Sequence, residues 1–217
     1  MATVAARCAL WRRGGACFRP VRVNRLEAAL RQAAADLTRY DHRWALVGGF
    51  AVSARAQPRF TSDVDVAVAV DDDARAEELV RTLLRDEYSL FGTVEHDNGR
   101  LATVRLKRQV DGVKIVVDLL FASSGIEAEV AQAAETLEIV PGFQLPVART
   151  GHLIALKLLA RDDESRPQDL TDLRALRAAA TPDDWALASA ATRLIMERGY
   201  NRDRDLVSLL ADLTASG

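Results

Sequence analysis

Residues 44–70, WALVGGFAVSARAQPRFTSDVDVAVAV, restrict the chain more than any other stretch. An apolar run, Trp44 to Val47, ends on Gly48-Gly49. A short helical segment and a turn around Pro58 follow, and Asp63-Val64-Asp65 then opens a second apolar strand. Side chains alternate along a strand, so Asp63 and Asp65 share one face about 7 Å apart. Val64, Val66, Val68 and Val70 face the other way, into a core. Beyond the aspartates their own face carries only Ala67 and Ala69, which leaves room for a ligand.

Two carboxylates side by side on an apolar strand repel each other and resist desolvation. A magnesium ion relieves both penalties, because it takes oxygen ligands and binds through one or two carboxylates together with phosphates. Paired glycines ahead of a helix allow close backbone approach, and helix N-termini favour phosphate. Asp-x-Asp alone would read as two solvent-facing residues. Gly-Gly with thirteen intervening residues and the apolar strand behind it favour a metal–nucleotide site.

A chain of 217 residues with 49% hydrophobic and 28% charged residues has the composition of a globular protein. Its apolar runs are too short to cross a bilayer, so no membrane partner is expected. Cys8 and Cys17 have neither zinc-ligand nor disulfide-framework spacing, which fits a reducing cytoplasm. Residues 1–23 read as a basic, flexible arm: the first 26 residues hold six Arg and no acid. Such an arm could touch nucleic acid. Arginine outnumbers lysine 26 to 3, which makes Lys107, Lys114 and Lys157 worth inspecting.

The pattern along the chain predicts a mixed α/β domain over 24–148 and a helical C-terminal domain over 149–217. Asn24 is expected to cap a first helix and Thr150 a later one. Asp71-Asp72-Asp73 reads as a helix start, where acids suit the dipole. Strands at 88–95, 101–109 and 112–121 follow, the last two joined at Asp111-Gly112. In VKIVVDLLF, Asp118 is costly to bury unless paired or bound to metal. An arginine-bonded or protonated core Asp is the structural alternative. By spacing alone, Lys157 would send its amine to water along an apolar helix. Asp169 and Asp172 would form a surface cluster with Arg166. His42, His96 and His152 lack ligand spacing and read as surface or core residues.

Gly48-Gly49 followed by Asp63-Val64-Asp65 resembles the first motif of the nucleotidyltransferases related to DNA polymerase β. The fuller GGFAV…PRFTSDVDVAV resembles the AbiEii/AbiGii-type nucleotidyltransferase toxins of toxin–antitoxin and phage-defence pairs. LIALKLLA…RPQDLTDL resembles the later motifs of that family, and the likeness covers roughly residues 44–205. Gln168 stands where such toxins often carry Lys. The resemblance implies a polymerase-β-like mixed sheet that moves NMP from an NTP and releases pyrophosphate. Two magnesium ions, or manganese in their place, would be held by Asp63, Asp65 and Asp118. It also gives Gly48, Gly49, Arg59, Thr61, Ser62 and Lys157 to the nucleotide, and moves Lys157, Asp169 and Asp172 from a structural to a catalytic reading.

Similarity to the MenT-type tRNA nucleotidyltransferase toxins implies the 3′ end of tRNA as acceptor, CTP or another pyrimidine nucleotide as donor, and a block of translation. A protein or small-molecule acceptor is the enzymatic alternative. A non-catalytic nucleotide-binding module is the other, though such a module would be expected to have lost carboxylates. The same likeness implies a cognate antitoxin, in some cases kinase-like, and phosphorylation of Thr61 as an off-state, with Ser62 as the neighbouring decoy.

Overall fold

The computed structural model describes residues 21–97, 99–110, 113–162 and 167–215. The expected basic arm lies outside the described residues up to residue 20, as do Cys8, Cys17, Asp111, Gly112 and Arg166. Helix α1 (Val21–Arg39) leads into β1 (Trp44–Leu46), α2 (Gly48–Arg55) and β2 (Asp63–Val68). Next come α3 (Asp73–Arg85), β3 (Tyr88–Glu95), β4 (Leu101–Val110), β5 (Val113–Leu120) and α4 (Glu127–Gln132). Strands β6 (Glu135–Val140) and β7 (Phe143–Val147) close the sheet. Helices α5 (Thr150–Ala160), α6 (Pro167–Ala179), α7 (Pro182–Glu197) and α8 (Leu206–Ala215) complete the described chain.

The sheet order is β3-β4-β5-β2-β1-β7-β6. Strand β2 is central, parallel to β5 and antiparallel to β1. Val64, Val66, Leu106, Val117 and Leu119 are buried on one face, as the alternation requires. Helix α1 packs over β4 and β5 on that face. Its Asp36 is fully buried yet well bonded: it accepts from Tyr88 Oη (2.9 Å), Arg108 (2.6 Å) and Arg39 (2.6 Å). That set ties α1 to β3 and β4, since a buried carboxylate is tolerated only with partners.

Asp72 caps α3, accepting from the Arg75 amide at 2.9 Å, so the acidic run is helix-start chemistry. The other two caps differ from expectation. Asn24 lies inside α1, and Thr150 is the first residue of α5 behind an Arg149 N-cap that makes no side-chain bond. Thr150 is buried, so its hydroxyl sits within packing. After β7 the described chain is entirely helical. One contiguous apolar core nevertheless runs from Leu30 in α1 to Leu210 in α8, so the two halves share their interior.

His152 on α5 is only 4% exposed, and its Nδ1 has no hydrogen-bond partner. Burial, reinforced by Arg149 and opposed by Glu129, lowers its pKa to about 4. Its folded-state pKa therefore lies below the unfolded value near 6.5. The unfolded chain binds the extra proton between those values, so this stability is present above pH 6.5 and is lost as pH falls toward 4. The melting temperature of wild type should thus fall more steeply over that window than that of His152→Gln. Parallel curves would remove the assignment.

Candidate active site

Parallel pairing sets Asp65 directly beside Asp118, and Asp63 beside Val116. The three carboxylates therefore occupy neighbouring positions on the face opposite the α1 core. Asp118 is 5% exposed and is gripped on its far side by Arg105 of β4, its cross-strand partner. Arg105 Nε donates to Oδ1 (2.7 Å) and Nη2 to Oδ2 (2.5 Å), a bidentate pair. Hydrogen bonding to Asp118, with the charges of Asp63 and Asp65 adding, raises the pKa of the guanidinium further. Asp118 thus combines the two readings of its sequence position: a carboxylate beside Asp65, and an arginine-bonded residue.

The glycines explain themselves by what would replace them. Gly48 has φ of +61°, and a Cβ there would lie 1.9 Å from Asp65 Oδ2. At Gly49 a Cβ would meet Thr61 Oγ1 at 2.7 Å and Arg59 Nη2 at 2.8 Å. The first residues of α2 are thus pressed against both the carboxylate and the following loop. Ser53 fixes that loop: its Oγ donates to the Gly49 carbonyl (2.9 Å) and accepts from the Arg59 amide (3.2 Å).

Helices α5 and α6 bring a second charged group to the same place. Lys157 Nζ contacts Asp169 Oδ1 at 2.6 Å and Asp172 Oδ2 at 2.8 Å. Arg59 approaches Asp172 from the other side, Nε to Oδ1 at 2.6 Å. Both carboxylates are 1% exposed. This corrects the spacing-based picture of a snorkelling lysine and a surface Arg–Asp cluster: α6 turns its acidic face inward onto α5. Asp169 and Asp172 both contact Lys157, and only Asp172 is shared with Arg59.

Two hollows meet here. One, of about 320 Å³, is walled by Gly49, Arg59, Thr61, Ser62, Asp63 and Gln168. The other, of about 410 Å³, has a mixed lining in which Leu120, Leu153 and Leu156 supply apolar surface. Asp65, Arg105, Asp118, Lys157 and Asp169 border both. Strict strand alternation would turn Ser62 away from the Asp63 face, yet its Oγ donates to Asp63 Oδ1 at 2.9 Å. Strand alternation fails there because Ser62 precedes β2 and lies in the loop.

Arg105 is the residue that sequence reading missed. The signal was present in the sequence: a hairpin joined by the two residues Asp111-Gly112 would pair Arg105 with Asp118, and that is the register the two strands adopt. Among the described residues no three acidic, histidine or cysteine side chains stand ready as a metal cage. Asp118 is instead engaged by a cation. The donor set still suits magnesium: oxygen ligands only, two on one strand and a third in register beside them. The missing Cβ of Gly48 lets the Asp65 carboxylate lie directly against the start of α2.

A central carboxylate strand behind a Gly-Gly helix start, with a third carboxylate on the parallel neighbour, is a nucleotidyltransferase architecture. An antigenic nucleotidyltransferase-like protein from Paracoccidioides brasiliensis shares the fold: TM-score 0.54 and 19% identity over 87% of this chain and 93% of that one. MenT4, a nucleotidyltransferase toxin from Mycobacterium tuberculosis, aligns with a TM-score of 0.44 and 15% identity over 88% and 91% of the two chains. Among curated protein sequences none matches. The profile described as "Nucleotidyl transferase AbiEii toxin, Type IV TA system" matches residues 28–214. The chain belongs to the AbiEii family of nucleotidyltransferase toxins, and is an NTP-dependent enzyme of that class.

Proposed function

We propose that this toxin transfers a nucleoside monophosphate from an NTP, CTP or another pyrimidine nucleotide, to the 3′ hydroxyl of tRNA in the cytoplasm, and so blocks translation. The observation that carries the reading is the convergence of two charged groups on one pair of hollows. Asp63, Asp65 and Asp118 lie on the sheet, and Lys157 with Arg59 lies over Asp169 and Asp172. The tRNA acceptor and the pyrimidine rest on the resemblance to tRNA-modifying toxins.

In the reaction the acceptor oxygen attacks the α-phosphorus, the bond to the bridging oxygen breaks, and pyrophosphate leaves. The hydroxyl proton passes to a base. Asp63, Asp65 and Asp118 would hold magnesium, which when bound stabilises the attacking and leaving oxygens. Lys157 and Arg59 place positive charge along the small polar hollow, where the triphosphate would lie. Asp169 and Asp172 hold those cations in position. Gly48 and Gly49 let the start of α2 approach the phosphates, with backbone amides as donors. Asp118, steadied by Arg105 beside Asp65, would serve either as the third ligand or as the base that takes the acceptor proton. In the larger hollow Leu120, Leu153 and Leu156 would offer apolar surface to the nucleoside.

The same reading gives Thr61 a regulatory role. Its side chain borders the polar hollow, close against Gly49. A phosphate there would bring roughly −1.5 to −2 charge into the space of the incoming triphosphate. A kinase-like antitoxin would then switch the enzyme off. Thr61→Glu should lose transfer without losing its fold, and mass spectrometry of toxin co-expressed with its antitoxin should find phosphate on Thr61. Inhibited toxin that carries no phosphate on Thr61 would favour simple occlusion.

Incubation with each α-³²P-labelled NTP, magnesium and total RNA tests the main proposal. Label in the tRNA band, strongest with a pyrimidine nucleotide, is expected. Label on protein or on a small molecule instead would reject the RNA acceptor, and no transfer with any acceptor would reject the catalytic reading.

A further inference from the structure

The open face of the sheet beyond the carboxylates carries a feature that nucleotide binding does not use. Strand β3 is the sheet's edge, and side chains on both its faces are exposed. On the catalytic face, cross-strand rows run outward from β2. Asp65, Asp118, Arg105 and Gly92 form one row, and Asp63, Val116, Lys107 and Ser89 the next. A bulge at Phe91 interrupts the pairing of β3 and turns its ring onto this face, with the Lys107 ammonium over it. Phe91 is 54% exposed, and Val94 beside it is also exposed. Lys114 is exposed on the same face of β5.

Two of the chain's three lysines therefore lie on this strip, and the third, Lys157, borders the hollows at its inner end. Apart from Asp118, the described residues of this face on β3, β4 and β5 include no acid. Gly92 contributes no side chain, and a Cβ there would meet open space. An exposed aromatic ring among cations beside a reaction centre matches single-stranded nucleic acid, whose bases stack and whose phosphates need countercharge. Three inter-strand steps separate Asp65 from Phe91, about 14 Å at sheet spacing. That is a span of a few nucleotides.

We propose that this strip is the docking platform for the single-stranded 3′ end of the RNA acceptor, with a base stacked on Phe91 and phosphates met by Lys107 and Lys114. The proposal rests on the RNA-acceptor reading above and assigns it a surface. Its cationic residues also reconcile RNA binding with an overall charge of −2, because the positive charge is local.

The test is fluorescence anisotropy of a short labelled single-stranded RNA, without nucleotide, over a range of salt concentrations. Wild type is compared with Phe91→Ala, Lys107→Ala and Leu90→Ala. Leu90 is equally exposed but pairs with buried Leu106, on the opposite face. Phe91→Ala should weaken binding about tenfold. Lys107→Ala should lower the slope of log affinity against log salt by about one. Melting temperature and NTP affinity should be unchanged in both, and Leu90→Ala should bind as wild type. Wild-type RNA affinity in both platform variants, or an equal loss in Leu90→Ala, overturns the platform while leaving the transferase reading intact. RNA binding that depends on Phe91 in a protein that labels no RNA would support the platform and reject the acceptor instead.

Discussion

Asp65→Asn should lower nucleotidyl transfer by roughly a hundredfold to a thousandfold while leaving the fold intact. Asp65 is the carboxylate in register with Asp118, and the one against which Gly48 is packed. Asparagine fills the same volume, so the Gly48 approach survives. What is lost is the charge that would hold the ion stabilising the attacking and leaving oxygens, and single preorganised electrostatic contacts of this kind are worth roughly 10²–10³ in rate. Relief of repulsion between neighbouring carboxylates should leave stability without metal equal or slightly higher. Asp63→Ala should behave in the same way. The measurements are label incorporation and thermal melts on the same preparations. Transfer near the wild-type rate in either variant would remove the carboxylate site from the account.

The second large effect is expected at Lys157, and there both activity and stability should fall. Its amine is the shared counterion of Asp169 and Asp172, two carboxylates that are almost fully buried. Removing one partner of a buried charged group costs about 3–5 kcal/mol, because the remaining charge stays desolvated. Lys157→Met should therefore melt roughly 10 °C below wild type, given about 2–4 °C per kcal/mol for a chain of this size. A second substitution separates the two roles. Lys157→Met with Asp169→Asn removes a buried charge together with its counterion and should recover much of the lost stability. Transfer should not return, because the triphosphate still lacks its cation. Restored transfer in the double variant would make Lys157 purely structural, and an unchanged melt in the single variant would contradict the ion-pair cluster.

These expectations show what the chain wrote locally and what it did not. The pair Asp63 and Asp65 was legible because strand alternation and an apolar flank are local properties, and Gly48-Gly49 because only a close approach demands such residues. The Asp72 cap was legible for the same reason. Asp118 was visible as an expensive residue in an apolar strand, but its place beside Asp65 depends on how β5 lies along β2, and no local pattern encodes that register. Its bond to Arg105 was readable from the hairpin turn alone. Asp169 and Asp172 were misread by spacing, since i, i+3 carboxylates look alike on a surface or facing an inner helix. Only the packing of α6 onto α5 decides between them. Thr150 and Asn24 failed as caps because residues with cap chemistry are also common inside helices.

The most direct measurement is to count pyrophosphate released and nucleotide joined to RNA in one reaction, for wild type and for Asp65→Asn. The account predicts one pyrophosphate per nucleotide transferred by wild type, with both products lost together in the variant. Release of inorganic phosphate in place of pyrophosphate, pyrophosphate without retained nucleotide, or undiminished products from Asp65→Asn would contradict it.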